Sequence, residues 1–408
     1  HPMSRWQDTP VAPADPILGL TQAFNKDTHP NKLNLGVGAY RTEEGKPWIL
    51  PVVRKAEEAI FTEGVNHEYT PIDGAPAYKQ AAANLIFGAD HPVITENRIS
   101  TAQTISGTGA LRIAAEWMKR EMPNGTVYFS DPTWGNHPKI FAAAGLKTST
   151  YRYFDRSTKA VNFEQMKADI EALPSESAVV LHACAHNPTG ADPSLEHWQE
   201  LLAVCQKTKP LIIFDSAYQG FATGDLARDA AALRLFGASG LEFIICQSFA
   251  KNLGLYGERA GAVHFVASSA DVAAAVLSQV KMIIRPMYSS PPIHGSLIAS
   301  RVINDPALFA MWQEHLHTMS SRIAEMRRLL FERLKEIGCP GDWSHIVKQI
   351  GMFTFTGLDQ AQVAILTEKH HIYLTKDGRI SMAGLSAATV PYLADAIFDA
   401  VKTTQSQL

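Results

Sequence analysis

Leu211-Ile-Ile-Phe-Asp215 is a short apolar run that ends on an acid. Its residues are mostly β-branched or aromatic, and its length is about that of one strand. It does not alternate with polar residues, so it suits a strand buried on both faces, as inside a parallel sheet. The same signature recurs on either side. Thr126-Val-Tyr-Phe-Ser130 and Ala178-Val-Val-Leu-His182 precede it, and Phe243-Ile-Ile-Cys-Gln247 and Ala262-Val-His-Phe-Val266 follow. Helical stretches such as Leu195 to Thr208 lie between these runs. The alternation predicts an α/β fold, a mostly parallel sheet flanked by helices. Beyond Pro306 the pattern changes. Leu308 to Ile337 reads as one long helix, with Met319, Ile323, Met326 and Leu330 at helical spacing. Two short strand candidates follow, Met352 to Thr356 and Ile372 to Thr375, and a last helix runs from about Val390 to Thr403. These predict a smaller α+β lobe.

The whole chain fits this reading. It has 408 residues, 46% hydrophobic and 19% charged, enough for a sizeable core and too apolar for a mostly disordered protein. Lys plus Arg is 37 and Asp plus Glu is 40, a formal charge of −3, so no global pull toward nucleic acid or an anionic membrane is expected. No apolar run is long enough to predict a membrane span. Cys184, Cys205, Cys246 and Cys339 form no Cys-x-x-Cys pair, which argues against a zinc ribbon or redox motif, and no metal site is expected. Few cysteines favour a reducing compartment. The expectation is cytoplasmic, with a mitochondrial location open if a transit peptide has been removed. His1 and Pro2 before Met3 look like a tag remnant. Ser4 to Pro16 reads either as a disordered terminus or as an arm docked on a partner subunit.

Several polar residues follow the strand runs. Asp215 ends one, Asn187 lies just past another, and Lys251 follows a third. In an open parallel sheet, ligands bind outside the carboxyl ends of the strands. Such residues could share a cleft, although many α/β strands end in polar residues. Ser106-Gly-Thr-Gly-Ala-Leu111 adds a second element. Ser106 can cap a helix with the apolar face Leu111, Ala114, Ala115 and Met118. Its start offers open backbone N–H groups and the positive end of the helix dipole, a cup for phosphate, or else it is an ordinary capped helix. It is neither a nucleotide P-loop nor the dinucleotide G-x-G-x-x-G, since Arg112 stands at the third glycine's place.

Ser248-Phe-Ala-Lys-Asn-Leu-Gly-Leu-Tyr-Gly-Glu-Arg-Ala-Gly261 is the sharpest segment. With Asn187-Pro-Thr-Gly190 and Asp215-Ser-Ala-Tyr218, it resembles the class I aminotransferases that use pyridoxal phosphate. Ala12 to Leu20, Asn34-Leu-Gly-Val-Gly38, Tyr69-Thr-Pro-Ile-Asp-Gly74, Tyr288-Ser-Ser-Pro-Pro292 and Gly378-Arg-Ile380 are similar, in order, to the aspartate aminotransferase subgroup. The resemblance covers essentially the whole chain. It implies fold type I of the pyridoxal-phosphate-dependent transferases, with a large cofactor-binding domain over 48–317, a small domain from 15–47 and 318–408, and an arm over 1–14.

The resemblance also implies roles. Lys251 is the residue that bonds the cofactor aldehyde and moves the Cα proton. Asp215 keeps the pyridine nitrogen protonated, and Tyr218 and Asn187 donate to the phenolate oxygen. Trp134, in Asp131-Pro-Thr-Trp-Gly-Asn-His137, stacks on the ring, with His137 and His182 nearby. For these histidines, and for Trp134 taken alone, a place in the core is the other reading. Ser106, Gly107, Thr108, Ser248 and Arg259 hold the phosphate, joined by Tyr69 from the neighbouring subunit. Arg379 binds the substrate α-carboxylate, with Gly38, Trp134 and Asn187 also facing substrate. Arg285, across a homodimer interface, binds the distal carboxylate of aspartate or glutamate.

The implied reaction is transfer of an amino group between L-aspartate and 2-oxoglutarate, in ping-pong half-reactions through the pyridoxamine form. The partners are therefore small amino and 2-oxo acids, with no nucleic acid or membrane. Some positions depart from the common pattern. Ala250 stands where serine is usual, Gly257 and Ser290 where asparagine is usual, and Pro286 and Met287 follow Arg285 where small or polar residues are common. The altered Arg285 neighbourhood keeps a broad-specificity or aromatic aminotransferase as the alternative. A lyase or decarboxylase on the same fold is a third class, which Arg379 opposes by stabilising the bond a decarboxylase must break.

Overall fold

The structure, a computed structural model, describes residues 4–405. The tag reading of His1 and Pro2 lies outside the described residues. Seven strands form the main sheet, in the spatial order Ile99–Ile105, Ala260–Val266, Phe243–Ser248, Leu211–Ser216, Ser177–His182, Thr126–Asp131 and Lys147–Arg152. The last five pair in parallel. Ala260–Val266 is antiparallel to both of its neighbours, so Ile99–Ile105 again points with the majority. All five apolar runs read from the sequence lie in this sheet.

The two strands without such a signal explain their own silence. Lys147–Arg152 is a polar edge strand, exposed along most of its length. Ile99–Ile105 is buried although it is polar in the middle. Thr101 Oγ1 bonds His264 Nδ1 at 2.8 Å and Gln103 Nε2 donates to Pro292 O at 2.7 Å, which satisfies two of the groups that would otherwise be costly to bury, while Ser100 Oγ and Gln103 Oε1 are left without a partner.

The apolar runs fill both faces, because successive side chains on a strand point to opposite sides. Val180, Ile213 and Ile244 pack with Leu111, Ala114 and Met118 of helix Ser106–Glu121 on one face. Val179, Leu181, Ile212, Phe214 and Ile245 pack with Trp198, Leu201 and Phe236 on the other. Full burial of each such Leu, Ile or Phe side chain stabilises the fold by roughly 1.5–3 kcal/mol.

The long helix runs Pro306–Glu336 and buries Met319, Ile323, Met326 and Leu330. Asp305 starts it by accepting from the N–H groups of Ala307 and Leu308. The two late strands are shorter than expected, Phe353–Phe355 and Ile372–Tyr373, and they do not pair with each other. Phe353–Phe355 is antiparallel to Arg379–Ser381, and Ile372–Tyr373 runs parallel to Leu33–Asn34 from near the other end of the chain. The final helix covers Val390–Gln405. Residues 4–15 carry no helix or strand, and Trp6 and Val11 among them are exposed. Among the described residues no helix is long and apolar enough to cross a membrane, no group of side chains is arranged to hold a metal, and all four cysteines are free thiols.

Candidate active site

Six strands share one direction, so their carboxyl ends meet along one rim of the sheet. The reversed strand starts at that rim, because residues 249–259 turn straight back from Ser248 to Ala260. A cleft of about 270 Å³ opens there, lined among others by Gly38, Trp134, Asn187, Asp215, Lys251 and Arg379. Ser106, Gly107, Thr108, His182, Tyr218, Ser248 and Arg259 also line it. The strand-end argument therefore holds for Asn187, Asp215 and Lys251, which come from three neighbouring units.

One end of the cleft is rich in donors. Helix Ser106–Glu121 starts directly from the strand before it, with Ile105 at the capping position. The expectation that Ser106 caps this helix is corrected, since Ser106 is its first residue and makes no capping bond. The backbone at Ser106 is left-handed (φ 55°), and its hydroxyl turns across the cleft to Ser248 Oγ at 2.9 Å. Tight packing enforces this turn. A Cβ on Gly261 would lie 2.5 Å from Gln247 O and 2.7 Å from Ser106 C, and a Cβ on Gly107 would press on Ser248 Cβ at 3.3 Å. Hydroxyls from Ser106, Thr108 and Ser248, with the guanidinium of Arg259, gather at the start of the helix. That donor set fits a phosphate dianion.

The other end holds a half-buried acid. Asp215 Oδ2 bonds His137 Nε2 at 2.7 Å. His137 Nδ1 meets Thr133 Oγ1 at 2.8 Å, and Thr133 Oγ1 reaches His182 Nε2 at 3.3 Å. Burial raises the Asp215 pKa. The hydrogen bond from His137, helped by the nearby Lys251, outweighs it, so Asp215 titrates below the usual carboxylate range. Burial, reinforced by His137, pushes His182 down to about 3. His186 stacks on Tyr153 at 4.2 Å and bonds Ser130 Oγ at 2.8 Å. His182 and His186 are thus buried and held toward the neutral form. Of the two histidines for which a place in the core was the other reading, His137 and His182, both are buried, and His137 also bonds Asp215.

Between the two ends, burial and the neighbouring Arg259 push the Lys251 amine below its ordinary pKa, against the pull of Asp215. Its Nζ lies 5.6 Å from the centroid of the Tyr218 ring. Burial holds the Tyr218 phenol protonated well above its usual range, although Arg379 and a hydrogen bond with Asn187 act the other way. Arg379 is buried over the Phe353 ring, 4.1 Å from its centroid, with Nη1 at 3.4 Å from Asn187 Oδ1. Its Nε has no partner. A buried guanidinium with free donor capacity is ready for an anion from the cleft.

Three residues named from the sequence do not line this cleft: His137, which lies behind Asp215, and Tyr69 and Arg285. Tyr69 is 84% exposed, and Arg285 is exposed with its guanidinium held by Ser289. Several lining or supporting residues were not singled out in the sequence. Thr133 lay inside a motif already quoted, and His186 stands one residue before Asn187. Ile17 and Phe353 lay within stretches quoted for other reasons, the 12–20 motif and the 352–356 strand candidate, and only the fold brings them to the cleft.

The family described as aminotransferase class I and II matches residues 30–397. Aspartate aminotransferase 3, chloroplastic, of Arabidopsis thaliana is 55% identical over 387 residues, covering 95% of this chain and 86% of that protein. An aromatic-amino-acid aminotransferase from Burkholderia pseudomallei, covalently bound to pyridoxal phosphate, superposes with a TM-score of 0.95 at 44% identity, covering 98% of this chain and 100% of that one. The cytoplasmic aspartate aminotransferase of Saccharomyces cerevisiae gives a TM-score of 0.95 at 42% identity, covering 98% and 99%. The chain belongs to the class I and II aminotransferases. It is a transaminase of the pyridoxal-phosphate-dependent class.

Proposed function

We propose that this chain is an aspartate aminotransferase, moving the amino group between L-aspartate and 2-oxoglutarate in two half-reactions. One observation carries the reading. A phosphate cup, a half-buried acid held in its charged form, a desolvated lysine and a buried arginine with an unpaired Nε meet in a single cleft. The cup and the acid fit the two ends of pyridoxal phosphate. When bound, that group supplies an aldehyde for the amino nitrogen and a ring that accepts the electron pair left at the substrate Cα.

The residues do the rest. Ser106, Thr108, Ser248 and Arg259 hold the phosphate. Asp215, kept charged by His137, holds a proton on the ring nitrogen. Tyr218 and Asn187 donate to the ring's phenolate oxygen. Arg379 grips the α-carboxylate and fixes which bond at Cα faces Lys251. The lysine amine, its pKa lowered by burial, would take the proton from Cα and deliver it to the cofactor carbon that carries the amino nitrogen, leaving the lysine neutral again.

The second carboxylate needs a second cation. Arg285 is exposed and outside its own chain's cleft, which supports a homodimer in which Arg285 and Tyr69 enter the neighbour's site. The large lobe over 48–317 and the small lobe over 15–47 and 318–408 belong to the same proposal. It is supported by the pairing of Leu33–Asn34 with Ile372–Tyr373. The compartment reading stays cytoplasmic. Relatives at similar identity carry chloroplastic and cytoplasmic names, so similarity does not separate compartments.

A second reading, broad or aromatic specificity, is favoured by Pro286 and Met287 beside Arg285 and by the resemblance to the Burkholderia enzyme. The two separate in one experiment. The cofactor's visible absorbance is followed after adding aspartate, then phenylalanine, with no 2-oxo acid present. A change with aspartate alone is expected. A change with both supports the broad reading, and a response to neither overturns the substrate assignment.

A further inference from the structure

Arg327 lies on the helix Pro306–Glu336 and is only 4% exposed. Its guanidinium meets four neutral acceptors. Nη1 donates to Ile346 O at 3.0 Å and to Thr354 Oγ1 at 2.5 Å. Nη2 donates to Gly351 O and Phe353 O, both at 2.7 Å. None of these partners is a carboxylate, and Nε is left without one. Burial lowers its pKa to about 9.

A buried cation without a counter-ion is costly, and a well-packed apolar side chain is often at least as stable. Stability alone is therefore a poor account of Arg327. What it touches offers a better one. Its acceptors all belong to the segment 346–354, which turns back on itself and places Phe353 beneath Arg379. The same segment abuts the Asn187 loop. Ile350 N donates to Gly190 O at 2.7 Å, and a Cβ on Gly190 would lie 2.8 Å from Phe353 O. A planar fork can hold carbonyls that point in different directions at once; an ammonium on a flexible stem holds them less rigidly.

We infer that Arg327 is a positioning residue for substrate recognition, fixing the Phe353 ring and thereby the pose in which Arg379 receives a substrate carboxylate. The inference rests on the reading of Arg379 as the carboxylate-binding arginine. Its energy is exerted through geometry, since Arg327 itself does not line the cleft. Loosening it costs binding of any α-carboxylate, amino acid and 2-oxo acid alike. It leaves the proton transfer by Lys251 intact once substrate is bound.

The test uses holoenzyme carrying Arg327→Lys, Arg327→Met or Leu334→Ala. Leu334 is fully buried on the same helix and holds no part of the 346–354 segment through hydrogen bonds, so its truncation reports general destabilisation. Maleate binding is measured by titration calorimetry, and KM and kcat are measured for aspartate and 2-oxoglutarate. The expected result for Arg327→Lys is a rise of about tenfold in the maleate Kd and in both KM values, with kcat changed by less than about threefold. Arg327→Met is expected to do the same or more. If it does not accumulate folded, Arg327→Lys decides. Leu334→Ala is expected to lower the melting temperature without moving the Kd. An unchanged maleate Kd in folded Arg327→Lys, or an equal shift in Leu334→Ala, overturns the inference. Failure of the unsubstituted enzyme to bind maleate overturns the dicarboxylate reading instead, and the two failures are distinguishable.

Discussion

His137 Nε2 stands 2.7 Å from Asp215 Oδ2, and the His137 ring is fully buried while the carboxylate reaches the cleft. The contact reverses what burial alone would do to the acid. Without it, a desolvated carboxyl in this place would tend toward the neutral form and could not hold a proton on a bound pyridine. Asp215→Asn keeps the shape and removes the charge. The expected outcome is a fall in kcat on the order of 10²–10³-fold with the fold preserved, read from single-turnover rates with aspartate. His137→Asn removes only the supporting bond and should cost about tenfold. Wild-type rates in Asp215→Asn would end this account of the acid.

Lys251 is the one primary amine among the lining residues of the cleft. Lys251→Ala should keep the phosphate cup of Ser106, Thr108, Ser248 and Arg259, and so should still bind pyridoxal phosphate. Its half-reaction with aspartate should slow by about 10²–10⁴-fold, the usual worth of a positioned proton-transfer group. Equal rates in the variant would move the proton transfer to another residue.

Arg379 brings a planar fork, and Gly378 gives it no room to shift. A Cβ on Gly378 would meet both Leu358 O and Thr356 Oγ1 at 2.9 Å, at a φ of 82°. Arg379→Lys keeps the charge and loses the two-pronged grip. Losing one charge-assisted hydrogen bond of about 1.5–3 kcal/mol predicts a fall of about 10- to 100-fold in kcat/KM for every α-carboxylate substrate. A loss confined to dicarboxylates would contradict the assignment.

Asp192, half-buried, and Asp229, buried, are acids that bond the backbone of the loops carrying Asn187 and Tyr218. Asp192 accepts from the N–H groups of Ala185 and His186 at 2.8 and 2.9 Å. Asp229 accepts from the N–H of Gly220 at 2.8 Å and from Thr223 Oγ1 at 2.6 Å. Burial outweighs these bonds and raises each to about 6. A carboxyl raised on folding binds its proton more tightly in the folded chain between the ordinary value of 3.8 and about 6. Its contribution to stability therefore falls as pH rises through that window. Buried histidines such as His182 slope the other way, so the comparison must be a difference. Relative to the unsubstituted protein, Asp192→Asn should gain on the order of 1–3 kcal/mol between pH 4 and pH 6.5. Urea midpoints at the two pH values measure it, and a pH-independent difference would show that Asp192 does not titrate there.

The shared-site proposal predicts complementation. A mixed dimer of Lys251→Ala and Arg285→Ala chains holds one site with both residues intact. Random re-association of equal amounts should restore about one quarter of the sites for aspartate, by symmetry alone. Mixtures no more active than their parents would place Arg285 outside the neighbour's site.

Much of this was legible along the chain. The five apolar runs fell in the main sheet because burial on both faces imposes a composition that any window of residues displays. The helix Pro306–Glu336 was legible for a similar reason, since its buried face recurs at the helical period. The edge strand Lys147–Arg152 and the hydrogen-bonded strand Ile99–Ile105 were not. Their place depends on partners distant in sequence rather than on their own hydrophobicity. Ser106 shows the limit at a single residue. Its type suits a cap, but the strand runs directly into the helix and the hydroxyl bonds Ser248 instead.

By itself, then, the sequence determined the alternating architecture and the chemical types gathered at the strand ends, because periodicity, turn residues and motif spacing are local properties. Tertiary structure alone decided the reversed direction of Ala260–Val266 and the pairing of residue 33 with residue 372. It also decided that His137 lies against Asp215, that Arg327 props Phe353 under Arg379, and that Tyr69 and Arg285 stand outside their own cleft. Strand direction and long-range contact are set by how loops close and surfaces pack, and no single stretch of residues carries that information.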